Sequence, residues 1–128
     1  MRLALVDRYP EDRAQSYFSR GLTQVSAANF DGALQEFKRA QTLWDRAAAT
    51  DPRQFRRATS IIHKRIGGIL VRLNRLNEAQ PEYEAALAID RNRLAEAPAD
   101  TEIKLDISSA LSALALIRLR RNQLAKGA

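Results

Sequence analysis

The fold of this chain is decided by two stretches, residues 21–40 with the sequence GLTQVSAANFDGALQEFKRA and residues 67–86 with the sequence GGILVRLNRLNEAQPEYEAA. When Gly21 is aligned with Gly67, small and aromatic residues coincide without a gap at an offset of 46 residues. The coinciding pairs are Ala33 with Ala79, Phe37 with Tyr83 and Ala40 with Ala86. Recurrence at a fixed period indicates an internal repeat.

The repeated residue types predict paired helices. A small residue inside a first helix and Ala near the start of a second let two backbones approach closely, and an aromatic residue one turn further fills the space between them. Each hairpin alone would leave an apolar face uncovered, so the hairpins must stack. A third, incomplete unit is predicted because Ala115 lies 48 residues beyond Gly67.

Composition and periodicity support an all-α fold. The 128 residues are 45% hydrophobic and 28% charged, with only five Gly and four Pro. Helical periodicity predicts one domain over residues 1–128, with five main helices near 11–27, 30–50, 52–74, 78–96 and 101–121. Residues 11–50 and 52–96 would form two antiparallel hairpins, and 101–121 a terminal or capping helix. Residues 2–8 are expected to end a preceding helix, and 122–128 to fray.

Local signals fix several of these boundaries. Asp51 can cap free amides ahead of Pro52, which has no amide to lose at the first helical position. Asn77, with Gln80 three residues later, is typical of a capping box. Asp100 or Thr101 is expected to cap the last helix.

The repeated pattern resembles the tetratricopeptide repeat, in a long-repeat bacterial form. The family places a small residue in its first helix and Ala, an aromatic and Ala in its second. Those roles fall here on Gly21, Ala33, Phe37 and Ala40, and again on Gly67, Ala79, Tyr83 and Ala86. The resemblance implies an α-solenoid, part of a larger bacterial protein, that binds another protein and needs no cofactor. It also implies that the first helix of each hairpin lines a concave surface.

Candidate catalytic residues are few. His63 is the only histidine, and no acidic residue lies one helical turn away to orient it, so we interpret it as a packing residue. The chain has no cysteine, and carboxylates with one histidine predict no zinc-type cluster. Gly67 and Gly68 lack the lysine of a phosphate loop and lie inside a helix. We expect close packing at Gly67, whereas Gly68 faces the groove, either admitting a ligand or merely being tolerated.

Charge segregation indicates the binding surface. Seven basic residues and no acidic residue lie between Pro52 and Asn77, whereas seven acids lie from Glu78 to Glu102. A partly apolar, basic groove would suit an acidic or amphipathic protein segment. The groove is predicted to be lined by Phe18, Leu22, Arg57, Ile61, Lys64, Gly68, Arg72 and Arg75.

Two other interpretations of the basic stripe stay open. The net charge of +6 permits nucleic-acid binding, although the stripe has no interleaved aromatics for base stacking. The stripe could equally be a solvated face without a partner. No apolar stretch is long enough to span a bilayer, and Asp7 interrupts the short apolar start, so we expect a cytoplasmic protein.

The last predicted helix is apolar on more than one face. Ile107, Leu111, Leu114 and Ile117 can pack on the preceding hairpin. Leu105, Leu116 and Leu119 cannot all do so, and a terminal helix normally needs a polar outer face. These three leucines predict self-association or contact with a further segment.

Overall fold

The computed structural model describes residues 10–127, and all five elements within that range are α-helices. They are α1 (Pro10–Ser26), α2 (Phe30–Thr50), α3 (Pro52–Arg72), α4 (Leu76–Glu96) and α5 (Thr101–Gly127). Short connections fold each helix back onto its predecessor, and consecutive helices pack together. The predicted all-α stack of hairpins is therefore confirmed. The expectation for residues 2–8 lies outside the described residues.

Side-chain caps start three of the helices. The side chain of Asn29 accepts a hydrogen bond from Gly32 N at the start of α2, and Asp51 accepts one from Gln54 N before α3. Asp100 accepts a hydrogen bond from Ile103 N at the start of α5. The predicted roles of Asp51 and Asp100 are thus confirmed, because these carboxylates satisfy amides that have no partner inside the helix.

The start of α4 and the end of α5 differ from the prediction, and the other helix ends agree with it to within two residues. The capping box at Asn77 is wrong, because α4 begins at Leu76 with Arg75 at its N-cap and no side-chain capping bond. The end of the last helix is also wrong, since α5 continues to Gly127 instead of fraying after 121. Good helix formers such as Leu124, Ala125 and Lys126 sustain that extension.

The turns inside the two hairpins have the same geometry. Ala28 and Asn74, which lie 46 residues apart, both adopt the left-handed conformation, with φ of 58° and 59°. After α1, Asn29 N donates to Gln24 O at 2.8 Å. After α3, Arg75 N donates to Leu70 O at 2.8 Å. This is the Schellman ending of a helix, and its recurrence extends the repeat to the backbone.

The glycines at the repeat positions lie at helix crossings. A Cβ on Gly21 would come within 2.4 Å of the Phe37 ring, and one on Gly67 within 2.6 Å of the Tyr83 ring. Neither gap admits a methyl group while the ring keeps its place, so each glycine is what lets the aromatic ring pack this closely on its helix. The four repeat alanines, which lie on α2 and α4, are fully buried: Ala33, Ala40, Ala79 and Ala86.

A buried ionic cluster joins α3, α4 and α5. The Asp90 carboxylate on α4 is 0% exposed and lies 2.9 Å from both Lys64 Nζ and Arg93 Nη1. Arg93 also contacts the Asp106 carboxylate on α5 at 3.1 Å. Because a buried carboxylate is tolerated only with such partners, the cluster fixes how the last helix sits on the second hairpin.

None of the helices within residues 10–127 is both long and apolar enough to cross a membrane.

Candidate functional site

A groove runs along α3, bordered by α5 on one side and the end of α1 on the other. It consists of three adjoining cavities of about 530, 350 and 210 Å³ that share lining residues. The largest lies between α3 and α5 and is lined by Phe30, Gly68, Val71, Arg72, Tyr83, Ala113, Leu116 and Arg120. We call this continuous depression the α3 groove. Its walls come mainly from α3 and α5, whereas the first helix of the first hairpin contributes only Val25, so the expectation that the first helix of each hairpin lines the surface holds for the second hairpin alone.

The predicted positions Ile61, Lys64, Gly68 and Arg72 do line the α3 groove. They share one face of α3 because they recur at helical spacing. Ile61 contributes apolar surface near α5, and Gly68 adds a stretch of bare backbone at the centre.

The rim of the α3 groove carries three guanidinium groups, those of Arg65, Arg72 and Arg120. Among the described residues, no carboxylate lies within ion-pair distance of any of the three. Arg72 stands 5.3 Å above the centroid of the Phe30 ring, and Arg65 stands 5.9 Å above that of Phe18. Both side chains therefore rest on an aromatic face while their charge stays uncompensated.

Lys64 is less available than the sequence predicted. Its Nζ pairs with the buried Asp90 and donates to the backbone carbonyl of Asp106 at 2.8 Å. The side chain is 17% exposed. Lys64 lines the groove with its stem, but its charge is committed to the fold, so a role in binding a partner's acid is not its primary one.

Two more predicted groove residues form ion pairs with acidic residues of other helices. Arg57 pairs with Glu102 at the start of α5. Arg75 lies beyond the end of α3, so its assignment to the α3 stripe is wrong, and its guanidinium donates to Glu78 at 2.6 and 2.7 Å. That pairing raises the pKa of Arg75 and lowers the pKa of Glu78. The acids that neutralise these bases come from α4 and α5.

The predicted aromatic border of the groove belongs to the core instead. The Phe18 ring packs 5.6 Å from both Phe37 and Trp44, centroid to centroid, and is half-buried. Leu22 is likewise half-buried against the core. Neither lines any of the three cavities.

His63 has the acidic partner that its own helix lacks. Its Nδ1 lies 2.8 Å from Glu82 Oε1 on α4, and Gln41 Nε2 on α2 donates to the same oxygen at 3.2 Å. Burial alone would raise the pKa of Glu82, but the hydrogen bonds from His63 and Gln41 outweigh it, so the pKa is lowered. The three side chains lock α2, α3 and α4 together. Within residues 10–127 no group of three potential metal ligands occurs.

The exposed leucines of α5 form a second feature. Leu105 is 65% exposed and Leu119 is 54% exposed, in agreement with the predicted uncovered face. Leu116 is 43% exposed but lines the α3 groove, so it belongs to that site. Leu111, which was expected to be covered, is also 44% exposed.

The sequence did not identify Tyr83, Ala113 or Arg120 as groove residues. Tyr83 was interpreted only as a packing ring, and Arg120 was not assigned to the groove. The repeat itself held the signal, because Gly68 stands 46 residues after Leu22 and Tyr83 stands 46 after Phe37. Leu22 lines none of the three cavities, whereas its counterpart Gly68 lines the largest together with Tyr83.

Comparison with protein-family models, with curated proteins and with solved structures gave no match, so the interpretation of the groove rests on its geometry and charge.

Proposed function

We propose that this chain is a non-catalytic protein-interaction module that binds an acidic or amphipathic segment of a partner in the α3 groove. The observation that carries the proposal is the set of uncompensated guanidiniums around an apolar floor: Arg65, Arg72 and Arg120. The proposal includes the tetratricopeptide-type relationship and a place in a larger bacterial protein, which rest on the resemblance of the repeats. It also includes a cytoplasmic location, which rests on the apolar pattern of the sequence.

The chemistry of the groove favours a peptide over a small molecule. The cavities are open and adjoin one another along α3, which suits an extended or helical segment lying across several side chains. Arginine binds carboxylates through paired, charge-assisted hydrogen bonds, and Phe30, Val71 and Leu116 offer apolar surface beside them. A partner that alternates acidic and apolar side chains would use both features.

Fluorescence anisotropy with defined probes tests the proposal. The probe is a short fluorescein-labelled peptide of repeated Glu-Glu-Leu units, and its uncharged control consists of Gln-Gln-Leu units. The double variant Arg72→Glu/Arg120→Glu should lose at least about tenfold in affinity for the acidic probe, because charge-assisted hydrogen bonds are each worth about 1.5–3 kcal/mol.

A matched variant separates groove binding from net charge. Arg46→Glu/Arg91→Glu changes the net charge equally, at exposed positions of α2 and α4 that do not line the groove. This control should bind the acidic probe with an affinity within about twofold of wild type, because salt screens exposed charges that lie far from the binding site. Equal loss in both double variants would remove the groove from the account.

The same arginines favour a second candidate, nucleic-acid binding, because phosphates are also drawn to uncompensated guanidiniums. A single-stranded DNA or RNA oligonucleotide distinguishes the two. A salt-sensitive gel shift that Arg72→Glu/Arg120→Glu abolishes, together with no binding of the acidic peptide, would favour this candidate over the first.

The exposed face of α5 supports a further proposal, self-association. Leu105 and Leu119 remain uncovered, and Ala115 is exposed although its counterparts Gly21 and Gly67 each lie under an aromatic ring. Sedimentation velocity at micromolar concentration should detect dimers in the wild type and fewer in Leu119→Glu. Monomer alone at every concentration would contradict this proposal.

A further inference from the structure

The two hairpins differ at one spot that the groove exposes. In the first hairpin, Leu22 and the fully buried Phe37 stand at the repeat positions. In the second, Gly68 and Tyr83 occupy those positions, and both line the largest groove cavity. The second hairpin therefore has an opening over a phenol where the first has leucine and a buried phenyl ring.

Gly68 is not required by close packing. A Cβ built on Gly68 would meet only Tyr83 Oη, at 3.4 Å, which is ordinary van der Waals contact. The neighbouring Gly67 differs, since its Cβ would come within 2.6 Å of the ring itself. A helix with glycine at an interior position is less stable than one with alanine there, so Gly68 destabilises α3, and close packing does not compensate for this. What it leaves is a gap one methyl group wide beside the tyrosine hydroxyl, at the wall of the largest cavity.

The hydroxyl of Tyr83 is free to donate a hydrogen bond to a ligand. Within residues 10–127, Tyr83 Oη makes no hydrogen bond to another residue, and it is not among the buried polar atoms, so it is accessible from the cavity that Tyr83 lines. Burial raises the pKa of Tyr83, so the phenol stays protonated and offers an O–H donor at neutral pH. Arg72 and Arg120 line the same cavity, which makes it a place for a group that accepts hydrogen bonds and carries negative charge.

Acidic groups already near the opening do not fill this role. Asp106 lines the adjoining cavity, but its carboxylate is bound to Arg93 at 3.1 Å. The charge beside the opening is thus positive and uncompensated.

We propose that the notch beside Gly68 and Tyr83 Oη, where both line the largest cavity, seats a Glu or Asp side chain of the bound segment. The carboxylate accepts a hydrogen bond from the Tyr83 hydroxyl, and the guanidiniums of Arg72 and Arg120 balance its charge. This inference rests on the proposed function of the α3 groove and adds the residue that anchors the peptide. It also assigns Gly68 a role in recognition.

Two conservative variants test the notch, with the Glu-Glu-Leu and Gln-Gln-Leu peptides as probes. Gly68→Ala fills the opening with one methyl group that the fold accommodates. It should lower affinity for the acidic peptide about tenfold while raising Tm by about 3–5 °C, because Ala favours helix. Tyr83→Phe keeps the ring under Gly67 and removes only the hydroxyl, so it should lower affinity about fivefold with little change in Tm. The uncharged peptide should bind weakly, and its affinity should not depend on the Tyr83 hydroxyl.

A stabilised protein that binds less tightly is a result that a merely structural role for Gly68 does not produce. If wild type binds the acidic peptide, and Gly68→Ala and Tyr83→Phe bind it equally well, the notch is overturned while the groove stands. If wild type does not bind the acidic peptide, the proposed function falls and the notch with it. If Tyr83→Phe lowers the affinity for an oligonucleotide but not for the peptide, the assignment of the notch to a side-chain carboxylate is likewise overturned.

Discussion

Replacing three glycines with alanine one at a time should change stability in opposite directions, although the chemical change is the same. At Gly21 the new Cβ would stand 2.4, 2.5 and 3.0 Å from three carbons of the Phe37 ring. Carbon atoms in contact normally lie about 3.5–4.0 Å apart, so the ring must recede by about 1 Å. Phe37 is 0% exposed and has nowhere to go, which makes this an overpacked site.

The magnitudes follow from two opposing terms. Overpacking costs about 1–3 kcal/mol, and the rigid site at Gly21 belongs at the upper end. Alanine returns about 1 kcal/mol of helix propensity. Gly21→Ala should therefore destabilise by about 2 kcal/mol, and Gly67→Ala by less, because the half-buried Tyr83 ring can shift. Gly68→Ala meets one hydroxyl at 3.4 Å and should gain about 1 kcal/mol.

Urea denaturation followed by far-UV circular dichroism measures this series directly. The expected order of stability is Gly68→Ala, wild type, Gly67→Ala and then Gly21→Ala. Combining Gly21→Ala with Phe37→Leu should cost less than the sum of the two single changes, because the smaller side chain relieves the overlap. A Gly21→Ala variant as stable as wild type would refute the close helix crossing.

Three further outcomes are expected. Lys64→Ala leaves the buried Asp90 short of a partner and should lower the free energy of unfolding by about 3 kcal/mol, whereas Arg57→Ala at an exposed pair should change it by less than about 0.5 kcal/mol in the same urea titration. Ala28→Gly should add about 0.5–1 kcal/mol, because glycine adopts the φ of 58° without strain; a lower urea midpoint would contradict that turn. Because the pKa of Glu82 is lowered in the folded protein, its ionised carboxylate contributes stability above the ordinary pKa of 4.5, and that contribution is lost as the pH falls through the lower pKa of the folded state. The stabilities of wild type and Glu82→Gln should therefore converge in acid. A difference in stability that does not change with pH would exclude this linkage.

Much of the fold could be predicted because the repeat consists of small and aromatic residues that recur at a fixed spacing. The limits predicted for the second helix, 30–50, agree with α2, and the Gly21 and Gly67 crossings follow from the recurring small residues. The start of α4 was missed because Asn77 offered a better local cap. The Schellman turn at Asn74 outweighs that preference, since it repeats the geometry of the first hairpin.

The site was harder to predict because charge pairing is decided by tertiary contacts. The acids of α4 and α5 stand beside the bases of α3, so Arg57 and Lys64 are neutralised by carboxylates distant in sequence. A single sequence does not tell which bases find such partners. Gly68 and Arg72 were placed on the groove face correctly because helical spacing alone decides that face, and their role in binding stays a prediction. Tyr83 was missed because its ring and its hydroxyl have separate uses.

Amide chemical-shift mapping by NMR tests the central claim most directly. During titration with the Glu-Glu-Leu peptide, the largest shifts should fall on Gly68, Arg72 and Ala113, along facing sides of α3 and α5. The amide of the exposed Ala88 on α4 should hardly move. Shifts that spare these groove residues and gather on the leucine face of α5, or that scatter over the whole surface, would contradict binding in the α3 groove.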